Sequence, residues 1–509
     1  MKSTKKGLFN ILYGVLGQIV IIAFAFINSK LVIENYGSAI NGLLHSVSQI
    51  FAYLALLEAG VGTATVQALY GPVAKNDQKE ISSIIVATAS FYKKTGIYYA
   101  LGVVLLAALY PVFVNTELPY FFVFVIILFS GIGGSIHFFY QGKYALLMQA
   151  EGCSYVITRI DIIINILTNT IKAFLLLNGF NVLVVQFSYL MLCVLKAAFY
   201  HFYIRQHYGT LNLSVEPNYE AISQKKAVFI HQVSYLIFSS TDIILLTLLT
   251  QDLKIVSVYS LYNSFVTMLF QTIQHISFGY NFKLGQLYAT DKKRYTQLYH
   301  VFEIFHLVLV FAVMSTLYLV LLPFMRIYTR NVTDINYINT LYPLLFVMVP
   351  LLTHGRTAAN STITFAGHFE QTKKYTIIEA ATNLTVSIVG IKLWGIPGAL
   401  LGTIIASVYR TVNVTWYSYK YLIDGSAWNT VKRWIACFAS FIVIVLLNRY
   451  IMISLSSYGR IVIFSIITGI VLLIYYSLLQ WIINRDERQE FKYIFTQFIG
   501  NIKTKIKIQ

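Results

Sequence analysis

The chain has 509 residues, of which 57% are hydrophobic, 16% aromatic and only 11% charged. A soluble globular chain carries about twice that charge, so a soluble protein is excluded. The net charge of +18 would suggest a nucleic-acid partner in a soluble protein; here its distribution along the chain removes that reading.

Crossing about 30 Å of hydrocarbon takes about 20 helical residues, and backbone groups in lipid must bond within the segment, so spans are helices. Fourteen apolar stretches predict spans at 8–29, 41–68, 85–110, 120–147, 154–178, 181–203, 227–250, 256–281, 298–325, 337–366, 375–393, 396–419, 430–450 and 460–483. The first follows basic residues, as in a signal peptide, but its apolar run is too long and lacks a small-residue cleavage site, so it reads as a retained span. With the N-terminus inside, about 25 Lys and Arg fall on the cytoplasmic side against 7 outside, a strong positive-inside bias. An even number of spans then puts both termini in the cytoplasm. Cys153, Cys193 and Cys437 lie far apart with no metal-ligand spacing, and read as small apolar residues.

The fold class is therefore an all-α polytopic membrane protein. An N-terminal six-helix bundle is expected over 1–206, a cytoplasmic linker over 207–226 and a second six-helix bundle over 227–423. Two additional spans occupy 424–484, and a basic amphipathic tail, 485–509, suits an anionic lipid surface. A faint repeat relates the two bundles: Lys5-Lys6-Gly7-Leu8-Phe9 and Lys225-Lys226-Ala227-Val228-Phe229 each open a bundle, and Gly60 and Gly279 fall at corresponding points. Two halves entering from the same side would be related by a pseudo-twofold axis along the membrane normal; chance likeness between apolar helices is the alternative.

An ionisable group inside a span is costly and faces a partner or a wet cavity. Asn10, Gly14 and Gln18 share one face of the first span; His45, Gln49 and Glu58 lie in the second; Gln232, Tyr235, Ser239 and Asp242 step along the seventh. Thr353, Arg356, Asn360 and Thr364 line the tenth, Glu379, Asn383 and Ser387 the eleventh, and Thr403, Ser407 and Arg410 the twelfth. Arg356, Glu379 and Arg410 fit either a binding site or a structural ion cluster with snorkelling side chains. Lys143 and Glu303 are expected to reach headgroups or water. No phosphate-binding loop, HExxH, GxSxG or metal-ligand cluster is present, so catalysis is not expected and no cofactor is implied.

Glu34-Asn35-Tyr36-Gly37 followed by Leu57-Glu58-Ala59-Gly60-Val61-Gly62-Thr63-Ala64 resembles the first hairpin of the polysaccharide repeat-unit (O-antigen type) flippases. These belong to the multidrug/oligosaccharidyl-lipid/polysaccharide exporter superfamily. Ser239-Ser240-Thr241-Asp242 into Val256–Asn263, His354-Gly355-Arg356-Thr357, Ile378-Glu379-Ala380 with Asn383, and Gly398–Thr403 into Tyr409-Arg410-Thr411 are similar to the same family.

The resemblance implies two six-helix bundles in a V, opening alternately to either face. It implies translocation of an undecaprenyl-pyrophosphate-linked oligosaccharide across the bacterial cytoplasmic membrane, with membrane lipids and polysaccharide polymerase machinery as further partners. An ion-coupled drug antiporter of the same architecture is the alternative, and a membrane-embedded polymerase or glycosyltransferase a more distant one. Candidate substrate-binding residues are Arg356, Arg410, Asn360, Glu379, Asn383, Gln18, Gln49 and Lys196. Asp242 and Glu58 are candidates for coupling to H+ or Na+. One departure concerns lipid II: flippases for that substrate resemble each other through an arginine–aspartate pair in the first span, whereas 20–29 carries no charge here.

Overall fold

The computed structural model describes residues 23–58, 61–114, 116–208, 211, 214–222, 225–451, 455–485 and 488. Gln18 and the amphipathic tail beyond 488 lie outside the described residues. Among the described residues all regular structure is helical, as an unpaired strand edge in lipid could not be satisfied. By contact the chain divides into two units: residues 1–260 with 332–335, and residues 261–331 with 336–509.

The first unit opens with helix α1, described over 23–36. Gly37 ends it at φ +85°, a conformation that L side chains rarely adopt. Helix α2 (Ser38–Leu54) follows at once, its first turn held by Asp334, whose carboxylate accepts from Ser38 N at 2.7 Å and Ser38 Oγ at 2.8 Å. That cap places a negative charge on the helix N-terminus. Then come α3 (Val61–Lys75), α4 (Gln78–Phe113), α5 (Tyr120–Ile136), α6 (Gly142–Ala150), α7 (Ser154–Leu177), α8 (Val182–His207) and α9 (Lys225–Thr250). The segment expected to be a linker is packed: Asn218 bonds to Glu80 at 2.9 Å, Ser83 to the Glu216 carbonyl at 2.7 Å, and Ile222 is 2% exposed.

Helix α10 (Leu253–Thr290) starts in the first unit and runs into the second. The second unit continues with α11 (Lys292–Tyr328), α12 (Tyr342–Gly355), α13 (Thr357–Phe365), α14 (Phe369–Trp394), α15 (Ile396–Tyr421), α16 (Ala427–Ile451) and α17 (Tyr458–Ile483). Helices α14 and α15 form its tightest hairpin. Gly395 turns at φ +62°, and a Cβ on Gly398 would lie 1.9 Å from the Gly390 carbonyl oxygen. Only glycine permits this backbone approach, and it sets the register of the polar faces of both helices.

Among the described residues each of the fourteen expected spans overlaps helix, although 337–341 of the tenth precede α12. Ten helices among the described residues are long and apolar enough to cross a membrane. Helix α15 falls short of that test because Thr403, Ser407 and Arg410 dilute its apolar composition. Outward faces are apolar where the sequence is plainest: Ile463, Ile466, Ile467, Ile470 and Ile474 of α17 are all more than half exposed, as a lipid-facing surface requires.

Three expected continuous spans are broken. The 41–68 span is interrupted by a 3-10 turn at Ala55–Glu58, the 120–147 span by a π-turn at His137–Gln141, and the 337–366 span at Arg356. Each break falls at an ionisable residue. Irregular backbone at membrane depth is tolerated where it is buried in protein or lines a cavity, so the breaks mark where polar chemistry has been admitted.

Candidate functional site

The second unit gathers three of the candidate residues into one buried cluster. Arg356 sits at the junction of α12 and α13, Glu379 on α14 and Arg410 on α15. Arg356 Nη2 lies 2.6 Å from Glu379 Oε1, and Arg410 Nε lies 3.5 Å from Glu379 Oε2. Exposures are 7%, 6% and 8% for Arg356, Glu379 and Arg410. Arg356 Nη1 also donates to the Ser407 carbonyl at 3.3 Å.

Local sequence explains the convergence. The Gly395 turn and the Gly390–Gly398 contact lock α14 against α15, so Glu379 faces Arg410. Thr411 Oγ1 donates to the Leu352 carbonyl at 3.1 Å and Ser418 Oγ to the Ala359 carbonyl at 3.2 Å, fixing α12 and α13 along α15. Asn383, one turn beyond Glu379, donates to Thr403 Oγ1 at 2.8 Å.

Two guanidinium groups share one carboxylate, leaving a buried excess of one positive charge. Arg356 Nε, Arg410 Nη1 and Asn383 Oδ1 are buried with no hydrogen-bond partner among the described residues. Unsatisfied groups of this kind are rare in folded proteins. The arrangement can accept an anion and a hydroxyl donor. Asn360 is half-buried one turn along α13.

The remaining candidates lie in the first unit. Lys196 of α8 pairs with Asp161 of α7 at 2.8 Å. Gln49 is half-buried on α2. Glu58, at the α2 break, accepts from the Tyr92 hydroxyl. Asp242 is 6% exposed and accepts from the Tyr259 hydroxyl at 2.9 Å; beside it, Tyr53 Oη and Thr241 Oγ1 are 2.6 Å apart.

Two features escaped the sequence reading. Glu303, expected at headgroups or water, is 3% exposed and pairs with Arg433, which is fully buried. Thr430 donates to Glu303 at 2.8 Å, and Arg433 Nε donates to Asn484 at 2.6 Å, so this ion pair is satisfied. Both charges lie inside predicted spans, and that was the available signal. The second feature is the face of α7 carrying Asp161, Asn165, Asn169 and Lys172, spaced at helical steps; Asn169 accepts from Asn28 at 2.7 Å. Read with the 3.6-residue period, this stripe was visible in the sequence. Among the described residues no group of His, Cys, Asp and Glu could hold a metal ion.

No protein-family model and no curated protein matches the chain. Solved structures do. One is described as the inward-facing conformation of a multidrug resistance MATE family transporter of the MOP superfamily, at TM-score 0.66 and 14% identity, covering 79% of this chain and 94% of that one. The lipid II flippase MurJ in an inward closed conformation matches at TM-score 0.66 and 11% identity, covering 94% and 99%. A MOP superfamily transporter from Pyrococcus furiosus, described by a binding pocket of reverse polarity, matches at TM-score 0.51 and 12% identity, covering 81% and 95%. The chain is a multi-pass membrane protein with the fold shared by these MOP superfamily proteins.

Proposed function

We propose that the chain is a flippase for undecaprenyl-pyrophosphate-linked oligosaccharide in a bacterial cytoplasmic membrane, working by alternating access with both termini in the cytoplasm. The observation that carries this reading is the buried positive excess at Arg356, Glu379 and Arg410. A drug or cation exporter needs acidic groups where its cargo sits, whereas this cluster pairs two guanidinium groups with one carboxylate. Guanidinium forks match phosphate oxygens in shape as well as charge. The unpartnered Oδ1 of Asn383 supplies an acceptor of the kind that sugar hydroxyls need.

The antiporter reading keeps one observation in its favour, the buried Asp242 carboxylate in the first unit. The two readings separate in proteoliposomes. A pyrophosphate-linked saccharide on a polyprenyl carrier should reach the outer leaflet only when the protein is present, and the R356Q and R410Q variants should abolish that movement while still inserting. Export of cationic dyes by those variants at the wild-type rate, with no movement of the lipid-linked saccharide by any form, would replace the flippase reading with the antiporter.

A further inference from the structure

The two arginines of the cluster are not equivalent. Arg356 has two partners: a short contact to Glu379 at 2.6 Å and the Ser407 carbonyl at 3.3 Å. Its position between α12 and α13 makes it part of the helix junction. Arg410 touches Glu379 only at 3.5 Å through Nε, beyond the usual 2.7–2.9 Å of a charge-assisted hydrogen bond. Its Nη1 is buried and has no hydrogen-bond partner among the described residues. The carboxylate thus favours Arg356 and only partly compensates Arg410.

Resting on the anion-site reading above, we propose that Glu379 is a resident counter-anion: the incoming phosphate or diphosphate takes its place on Arg410, while Arg356 keeps it. Two physical arguments carry this. An isolated guanidinium in a low-dielectric interior is costly, so a site that binds anions must compensate its charge when empty. A carboxylate held at 2.6 Å by Arg356 and lying 3.5 Å from Arg410 Nε does so loosely enough to be displaced, and leaves Arg410 Nη1 unpartnered. Each arginine leaves one buried nitrogen unpartnered, Nε of Arg356 and Nη1 of Arg410, but only Arg410 lacks a contact to Glu379 at charge-assisted hydrogen-bond length, so a ligand gains most there.

The exchange also makes release reversible. When the anion leaves, the carboxylate is within reach to compensate Arg410 again, so the empty protein never holds two bare cations. Asn383 Oδ1, buried and without a partner one turn from Glu379 on α14, is placed to accept a hydrogen bond from a hydroxyl beside the bound phosphate. Arg410 Nη1 thus favours an anion over a cation, and Asn383 Oδ1 favours a phosphate that carries a hydroxyl over one that does not.

Inorganic pyrophosphate binding to the purified full-length protein, measured calorimetrically, tests this. Glu379→Asp keeps the charge but withdraws the carboxylate by one methylene, about 1.5 Å, so it can no longer reach both arginines. The E379D and E379Q variants should bind pyrophosphate more tightly than wild type, on the order of tenfold for each 1.4 kcal/mol of competition removed. R410Q should lose binding. Plain electrostatics would strengthen E379Q only, because E379D leaves the charge unchanged. Unaltered or weaker binding by E379D, with wild type binding and R410Q not, overturns the counter-anion and leaves the anion site standing. Absence of binding in every folded form overturns both. If neither Glu379 variant folds, as judged by monodispersity in detergent, the carboxylate is structural and the proposal fails.

Discussion

Arg433 of α16 and Glu303 of α11 form an ion pair in which the arginine side chain is 0% exposed and the carboxylate 3%. This contact ties the two C-terminal helices to the rest of the second unit, with Asn484, the residue that follows α17, bonded to Arg433 and Thr430 to Glu303. A buried pair is weak evidence of net stability, but removing one partner strands the other in a low dielectric and costs about 3–5 kcal/mol. R433M and E303L alone should each lower the melting temperature of detergent-solubilised protein. The double variant should recover most of the loss, as coupled neighbours do not add. Additive losses would show that the two side chains act through separate partners.

The α14–α15 hairpin gives a second expectation. G398A puts a Cβ at 1.9 Å from the Gly390 carbonyl oxygen, and overpacking of this kind costs about 1–3 kcal/mol or more. The helices must part, drawing Glu379 away from Arg410. G459A in α17, with nothing within 4 Å, should be neutral or slightly stabilising, since alanine favours helix by about 0.5–1 kcal/mol. Expression and thermal stability of the pair measure the difference. Equal behaviour would mean that the hairpin contact does not set the register of the site.

Orientation is testable by labelling. The sharp turns around Asp77, where Asp77 caps α4, and Asp291, where Asp291 caps α11, carry Lys75, Lys79, Lys292, Lys293 and Arg294. Cys437 is buried, but Cys153 and Cys193 are partly exposed and must first be replaced. Cysteines introduced at Lys79 and Lys293 should then react with an impermeant maleimide only after the membrane is opened. Reaction in intact cells would invert the assigned topology.

Hydropathy alone located the helices, because lipid-facing surface must be apolar whatever a helix does at its core. It also flagged Arg356, Glu379 and Arg410, since an in-span charge needs a reason. What one-dimensional pattern could not supply is pairing. Nothing in the spacing of Glu303 and Arg433 links residues 130 positions apart. The helix breaks were hidden for a related reason. Arg356 and Glu58 interrupt runs whose average hydropathy stays high, so the sliding pattern reads through them. Pro350 in α12 was a local hint of distortion, but a hint does not fix where the helix stops.

The last expectation concerns coupling in the first unit. Asp242 lies on α9, 6% exposed, and accepts a hydrogen bond from Tyr259 of α10 at 2.9 Å. A carboxylate so enclosed can serve an ion gradient only if its environment differs between two conformations, because an ion that sees equal affinity in both shifts nothing. D242N retains an acceptor for Tyr259 while removing the charge. Y259F removes the hydrogen bond while leaving the charge. If Asp242 couples transport to H+ or Na+, D242N should still move substrate down its own gradient in proteoliposomes but ignore an imposed ion gradient. Y259F should keep the response, with an altered dependence on pH. If the residue is structural, the two variants should lose stability together and neither should change the ratio of driven to passive transport. A wild-type ratio in a stable D242N variant would remove Asp242 from the coupling mechanism and leave Glu58, bonded to Tyr92 at the α2 break, as the carboxylate to examine next.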